Sequence, residues 1–501
     1  MLLEEVKYHL PPRVGLTCQK VVHLKVAQVN ILAENLGIPR IPSYLKLRPY
    51  QQQAIDNWFA NRGRGTLKMA TGTGKTITAL AIATQLHQKI SLQVLIVVCP
   101  YRHLVTQWGR ECEKFALQPI LAFESVHTWQ SQLSTILYNI HSGNQKFISV
   151  ITTNSTFISD SFQSQLKYFP EKTLIIGDEA HHLGSPKLEK CLPKNIGLRL
   201  ALSATPERYF DEEGTIAISD YFGQILQPEL TLAHAIQQGA LAPYLYYPIL
   251  VELTEAESRD YVKLTSKIGW AFLLSEKQKG QTETENLKLL LMRRSRLVAS
   301  AKNKLAALKK LMANRLETTH TLFYCGDGLV QTENVSDLRQ MEAVVKVLGL
   351  ELGYRVNTYT AETPIKKREK LRKQFESGEL QGLVAINCLD EGVDIPAIKN
   401  AVILASSQNP RQFIQRRGRI LRPHPSKERA TLFDMIVLPP DMGKSILEIE
   451  RNLLRKELKR FLEFADLADN AGEARVKLLN CLLYTSPSPR DCKTSRMPSS
   501  A

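Results

Sequence analysis

The stretch LIIGDEAHH (Leu174–His182) ends an apolar run in two carboxylates and two imidazoles, at Asp178, Glu179, His181 and His182. Such a set can support metal chemistry in two ways. It can ligate zinc and activate water for hydrolysis, or it can hold magnesium on a nucleotide while Glu179 polarises the attacking water. The zinc reading needs an H-E-x-x-H helix or a further ligand at workable spacing, and the sequence offers neither. The magnesium reading needs a phosphate-binding partner elsewhere in the chain.

KMATGTGKT (Lys68–Thr76) supplies that partner. It follows a short apolar run and opens a segment of helical period. Gly72 and Gly74 let the backbone curl so that its N–H groups face phosphate oxygens. Lys75 can reach the β- and γ-phosphates, and Thr76 can offer its hydroxyl to magnesium. The helix that follows adds the positive end of its dipole. Met69 stands where the strict pattern has glycine, so the match is to the looser A/T-x-G-K-T form. Asp178, at the end of a buried strand, would hold the magnesium through water, with Glu179 acting on the nucleophile. The reading is a Mg–ATP site, with Thr71, Gly72, Thr73, Gly74, Lys75 and Thr76 cradling the nucleotide.

The elements that must position these groups follow from hydrophobic period. Leu92–Cys99, Lys146–Thr153, Thr173–Gly177 and Leu198–Ser203 are short apolar runs separated by helix-period segments. That pattern predicts a parallel sheet covered on both faces, an α/β domain. It returns at Thr319–Cys325, Tyr354–Tyr359, Leu383–Asn387 and Ala401–Ala405, predicting a second such domain. The expected divisions are an unassigned segment 1–44, an ATP-binding domain 45–253, a helical connector 254–311, a second domain 312–441 and C-terminal helices 442–480. Cys481–Ala501 breaks the helical pattern and resembles a translated sequencing adapter, so the gene-derived chain is expected to end near Asn480.

Taken together, the motifs resemble a superfamily 2 DEAD/DEAH-type helicase, and most of all the bacterial XPB-like DNA helicases. LRPYQQQAI (Leu47–Ile55) resembles the adenine-reading segment, with Gln51 and Arg48 as its readers. VCPYRHLVTQW (Val98–Trp108) resembles the motif that tracks the nucleic-acid backbone. The resemblance implies strand contacts at Pro100, Arg102, Gln107, Trp108 and Thr153. LSATPER (Leu202–Arg208) resembles the coupling motif, implying that Ser203, Ala204 and Thr205 act with His181. AINCLDEGVDIP (Ala385–Pro396) resembles the motif joining nucleotide and strand contacts, with Gly392 and Asp394 on the nucleotide side. QFIQRRGRILRP (Gln412–Pro423) resembles the arginine-finger motif, implying Arg419 and Arg422 as fingers with Gln415 and Arg416 in support. The fold implied is two tandem RecA-like P-loop NTPase domains, closing on ATP and opening after hydrolysis, with a helical connector and a C-terminal helical segment. XPB-like proteins usually carry Arg-Glu-Asp after the third motif. Here Arg208 is followed by Tyr209 and Phe210 before Asp211, leaving the strand-separating element in question. ERYFDEEGT (Glu207–Thr215), YFG (Tyr221–Gly223) and PRQFIQRRGRILRP (Pro410–Pro423) resemble bacterial XPB-like helicases that accompany modification and restriction systems, among them the helicase-type restriction protein of DNA phosphorothioation systems.

Composition agrees with a soluble cytoplasmic protein. The 501 residues are 44% hydrophobic, enough for large cores, and no apolar run approaches the roughly 18 residues that span a bilayer. The eight cysteines form no C-x-x-C pair, and a net charge of +16 suits a polyanion. The reading is therefore an ATP-dependent DNA helicase or translocase acting on duplex DNA. Its partners could include a separate nuclease or modification and restriction proteins, and its role would lie in restriction, defence or repair. A DEAH-type RNA helicase and a clamp that binds ATP without turnover are the alternatives.

Overall fold

The computed structural model describes residues 37–208, 211–277, 281–326, 329–330, 338–360, 363–386, 395–405, 418–438, 440, 458 and 461–485. The chain divides into two compact units, the second beginning its main span at Leu230.

The first unit is built on β1 (Arg64–Met69), β2 (Val94–Cys99), β3 (Ile120–Ala122), β4 (Ile148–Thr153), β5 (Thr173–Asp178), β6 (Leu198–Ser203) and β7 (Ile225–Leu230). Their order is β3-β4-β2-β5-β6-β1-β7, and the pairs from β3 through β1 are parallel. β2 and β5 lie side by side near the middle, with Ile96 opposite Ile175. Every residue of both strands is buried, which is why they read as unbroken apolar runs. The helix Val126–His141 buries Trp129, Leu133, Leu137 and Ile140, spaced to line one face, in the core formed with Val94, Ile96 and Ile148. The glycine-rich loop leads from β1 into the helix Lys75–Ile90, whose buried residues include Ala79, Ala81 and Ala83.

The second unit contains β8 (Tyr244–Glu252), β9 (Thr321–Cys325), the short antiparallel pair β10 (Leu329–Val330) and β11 (Leu338–Arg339), then β12 (Val356–Tyr359), β13 (Gly382–Ile386), β14 (Asn400–Ile403) and β15 (Ala430–Leu438). Its main sheet has the order β12-β13-β9-β14-β15-β8, parallel throughout. The two sheets are tandem RecA-like domains.

One expected boundary is corrected. Residues up to 253 were assigned to the first domain, yet β8 pairs with β15 along its whole length, from Tyr244–Ala430 to Glu252–Leu438. The helices Glu255–Lys277, Gln281–Ala299 and Asn303–Ala313 thus lie between two strands of the second sheet, as an insertion within it. β8 escaped detection because its burial alternates and Pro248 interrupts it, features of an edge strand.

The C-terminal segment covers that edge. Asn470 donates its amide to Tyr246 O at 3.0 Å and accepts Tyr246 N–H at 2.8 Å. Asp469 N–H donates to Tyr244 O at 2.9 Å, and the Tyr244 hydroxyl donates to Phe464 O at 2.7 Å. An exposed parallel edge is thereby closed by its own chain. The last helix runs Ala471–Thr485 and continues past Asn480, where a break was expected. Because these edge contacts all precede Cys481, deleting Cys481–Ala501 should leave the unfolding midpoint unchanged in denaturant titration. Asn470→Ala, which removes both side-chain hydrogen bonds to the Tyr246 backbone, should cost about 2 kcal/mol in the same titration.

Candidate active site

Strands β5, β6 and β1 are neighbours and parallel, so their C-terminal ends open on one edge of the sheet. Three predicted motifs leave from those ends: Asp178–His182 after β5, Ser203–Thr205 after β6 and the glycine-rich loop after β1. Adjacent strands stand about 4.8 Å apart, so two strand spacings, about 10 Å, carry all three. This edge is where parallel sheets bind ligands.

The loop is shaped by its own backbone. Thr73 Oγ1 donates to Ala70 O at 2.7 Å, and Gly72 and Gly74 both take φ of +89°. The helix begins at Lys75, so the positive end of its dipole faces the loop. Gln51, expected to read adenine, is 5% exposed and ties two elements together. Its Oε1 accepts Arg48 N–H at 2.9 Å, while its Nε2 donates to Gly74 O at 3.3 Å. A Cβ on Gly74 would lie 2.6 Å from Gln51 Nε2, in a left-handed backbone that costs a side chain about 1–2 kcal/mol. Gly74→Ala should therefore weaken binding of a fluorescent adenine nucleotide by about tenfold in an equilibrium titration.

Beyond β5 the chain turns sharply. Glu179 takes φ 45° and ψ 51°, a left-handed conformation uncommon outside glycine and often found at functional turns. Asp178 is 8% exposed; its Oδ1 accepts Glu179 N–H at 3.0 Å and its Oδ2 accepts the Trp108 indole N–H at 2.8 Å. His181 Nδ1 lies 3.3 Å from Ser203 Oγ and 3.5 Å from Glu179 Oε2. Ser203 Oγ in turn accepts Thr205 N–H at 3.1 Å. The structure brings the acid turn and the Ser-Ala-Thr segment into one hydrogen-bonded chain. Ala204 completes that segment without a side-chain role in the chain.

Arg208 extends the network. It donates to His181 O and pairs with Asp211 at 2.6 Å, while Asp211 Oδ1 accepts Gly214 N–H at 2.8 Å. The Gly214 hydrogen bond and the Arg208 guanidinium hold the Asp211 carboxyl below its usual range. Gly184 and Gly214 let two backbones touch here, since a Cβ on Gly214 would sit 2.5 Å from Gly184 O. No motif pointed to these two glycines.

The predicted strand contacts fall differently. Arg102 is exposed and Pro100 and Gln107 are partly so, but Trp108 is 1% exposed and Thr153 2% exposed. Thr153 caps the short helix that follows, its Oγ1 accepting Thr156 N–H at 3.2 Å. Side chains so buried present no surface to a strand, so the expected contacts at Trp108 and Thr153 are corrected to internal roles in this structure.

A magnesium ion suits Asp178. Two of its hydrogen bonds come from neutral donors, a carboxylate can accept several more, and magnesium usually takes one or two carboxylates plus phosphates and water. Among the described residues no three His, Cys, Asp or Glu converge as a metal-ligating cluster. Cys99, at the end of β2, stays protonated, its thiol pushed up by burial and by the Asp178 carboxylate. Burial likewise pushes Cys112 to about 12, marking core packing and not reactivity.

In the second unit Gly418–Ile420 form a helical turn, and Arg422 N–H donates to Arg419 O at 3.5 Å. Gly392, Asp394, Gln415 and Arg416 lie outside the described residues. The segments flanking them are stapled by Lys427, whose Nζ donates at 2.9 Å to Pro396 O, Ile398 O and Ile420 O. One buried ammonium thus joins the end of one predicted motif to the helix of the other. Lys427→Met would leave those carbonyls unsatisfied and should destabilise the chain by about 3 kcal/mol, read by chemical denaturation.

Known proteins resemble this chain in sequence and fold. Residues 44–208 match the family "Type III restriction enzyme, res subunit", and residues 303–424 match "Helicase conserved C-terminal domain". The DNA 3'-5' translocase XPB2 of Sulfurisphaera tokodaii is 28% identical over 422 residues, 81% of this chain and 84% of the relative. These matches support an XPB-like superfamily 2 helicase. The Rad25 protein of Haloarcula marismortui is 27% identical over 382 residues, 76% of this XPB-like chain, which spans about half (51%) of that relative's length. A DNA-bound ATP-dependent Type ISP restriction-modification enzyme, LlaBIII, shares the fold, with a TM-score of 0.52 at 19% identity over 85% of this chain and 31% of that one.

Proposed function

We propose that this XPB-like chain is a Mg–ATP-driven DNA translocase or helicase. The observation that carries the reading is the run of polar contacts Asp178–Glu179–His181–Ser203–Thr205, built at the strand ends beside the glycine-rich loop. In this reading Lys75 and Thr76 hold the phosphates and magnesium with Asp178, and Glu179 acts on water. Arg48 and Gln51 face the base, and Gly392 and Asp394 belong to the nucleotide contacts of the second domain. Arg419 and Arg422, with Gln415 and Arg416, stabilise the charge that develops on the γ-phosphate.

His181 and Ser203 would pass the nucleotide state to the segment ending in Arg208, and so to the strand. Pro100, Arg102 and Gln107 would face the DNA backbone, giving binding that is salt dependent and nearly blind to sequence. The DNA 3'-5' translocase name carried by the Sulfurisphaera relative supports DNA over RNA. The Type III restriction match supports a role in restriction or defence, with a modification or nuclease partner. Movement on duplex without extensive unwinding fits the internal use of Asp211.

Steady-state ATPase of the full chain, alone and with duplex DNA, single-stranded DNA or RNA, tests the reading. Duplex DNA should stimulate turnover, RNA should not, and stimulation should fall steeply with salt. Glu179→Gln should lower turnover by about 10²–10⁴ while nucleotide still binds. Stimulation by RNA alone would replace the reading with an RNA helicase, and DNA binding without turnover would leave a clamp.

A further inference from the structure

The helix Arg102–Lys114 springs from the end of β2, and β2 pairs directly with β5. Its buried residues Leu104, Val105, Trp108, Gly109 and Cys112 fall on one face, anchoring it firmly to the sheet. From that face Trp108 reaches Asp178. An indole N–H can only donate, so it recognises the ionised carboxylate and aims its Oδ2.

A second tie joins the start of the helix to the same turn. The Tyr101 ring stacks on His103, with centroids 5.6 Å apart, and meets His182 edge-on at 5.8 Å. His182 packs on His181 at 4.4 Å. Arg102, between Tyr101 and His103, is exposed. The helix that offers Arg102 to solvent is therefore fastened to the acid turn at two points, one of them the Asp178 carboxylate itself.

We propose that Trp108 is a positioning residue, transmitting occupancy of the Arg102 helix by a nucleic-acid backbone to the orientation of Asp178. This rests on the nucleotide-dependent reading above and deepens it. A polyanion drawn to Arg102 shifts or stiffens the helix, and the indole N–H carries that change to one oxygen of Asp178. The other oxygen stays on Glu179 N–H, so the carboxylate pivots while remaining held. Magnesium affinity then depends on DNA before any bond in the nucleotide breaks.

Trp108→Phe in the full chain removes the N–H and keeps an aromatic ring. The measurement is ADP affinity by equilibrium titration, with magnesium and with EDTA, each with and without duplex DNA. We expect the gain in affinity from magnesium to fall about tenfold, the loss of a hydrogen bond to a charged group, while affinity in EDTA stays unchanged. DNA should no longer alter that gain, and in the Asp178→Asn background Trp108→Phe should add no further loss. An unchanged magnesium gain, or equal weakening with and without magnesium, would overturn the inference in favour of simple packing.

If Trp108→Phe does not fold, the wild-type chain provides the readout. Its four tryptophans give few indole N–H signals in a ¹⁵N spectrum, and the signal moved by Asp178→Asn is that of Trp108. That signal should shift on adding Mg–ADP and again on adding duplex DNA alone; a signal unmoved by DNA overturns the inference. A wild-type chain that binds no nucleotide overturns the underlying reading as well. Nucleotide binding in which Trp108 makes no difference overturns only the role of Trp108.

Discussion

The buried carboxylate of Asp178 is the constraint around which the first domain is arranged. It stands at the end of a strand whose every residue is buried, where an ion is costly unless donors or a cation meet it. Trp108 and the Glu179 backbone supply two such donors. To place them, the chain bends through a left-handed Glu179 and sends a helix back from the neighbouring strand. Parallel topology makes this possible, because all the strands that contribute finish at one edge.

From that point the network spreads by short polar steps. His181 meets Ser203, Ser203 receives Thr205 N–H, and Arg208 returns to the His181 carbonyl. Such a chain has few loose members, so a displacement at one end must be felt at the other. The Arg208–Asp211 pair also bears on the departure from the usual Arg-Glu-Asp element. Asp211 is already used to cap the helix Glu212–Phe222 and to hold Arg208. It serves the inside of the domain, which leaves the neighbouring Glu212 and Glu213 as the acids free of that duty in the motif.

The second domain solves a related problem with one cation. Lys427 is 6% exposed and gathers three carbonyls from the segments beside the predicted nucleotide and arginine motifs. Lysine rather than arginine fits because its compact ammonium has three donors that point in different directions. Elsewhere the sheet protects itself at β8, where Asn470 and Asp469 engage the open backbone edge. That contact makes the C-terminal segment part of the second domain's architecture.

Much of this was legible in the order of residues. Unbroken apolar runs identify β2, β4, β5 and β6, because strands buried on both faces need no alternation, and the G-K-T and D-E-A-H spacings mark the segments that leave β1 and β5. The family resemblance of the Ser-Ala-Thr segment also implied that His181 works with Ser203 and Thr205. What remained hidden depended on long-range register. β8 went unread inside the span expected for the first domain because a partly exposed edge strand containing proline carries a weak periodic signal, and only its pairing with β15 reveals its place. Trp108 read as a strand contact because its motif neighbours do, yet the direction of a helical side chain is set by how the helix seats on the sheet. Lys427 and the Gly184–Gly214 approach carry no local signature at all: their partners lie on other segments, and only tertiary packing brings those backbones within hydrogen-bond or contact distance.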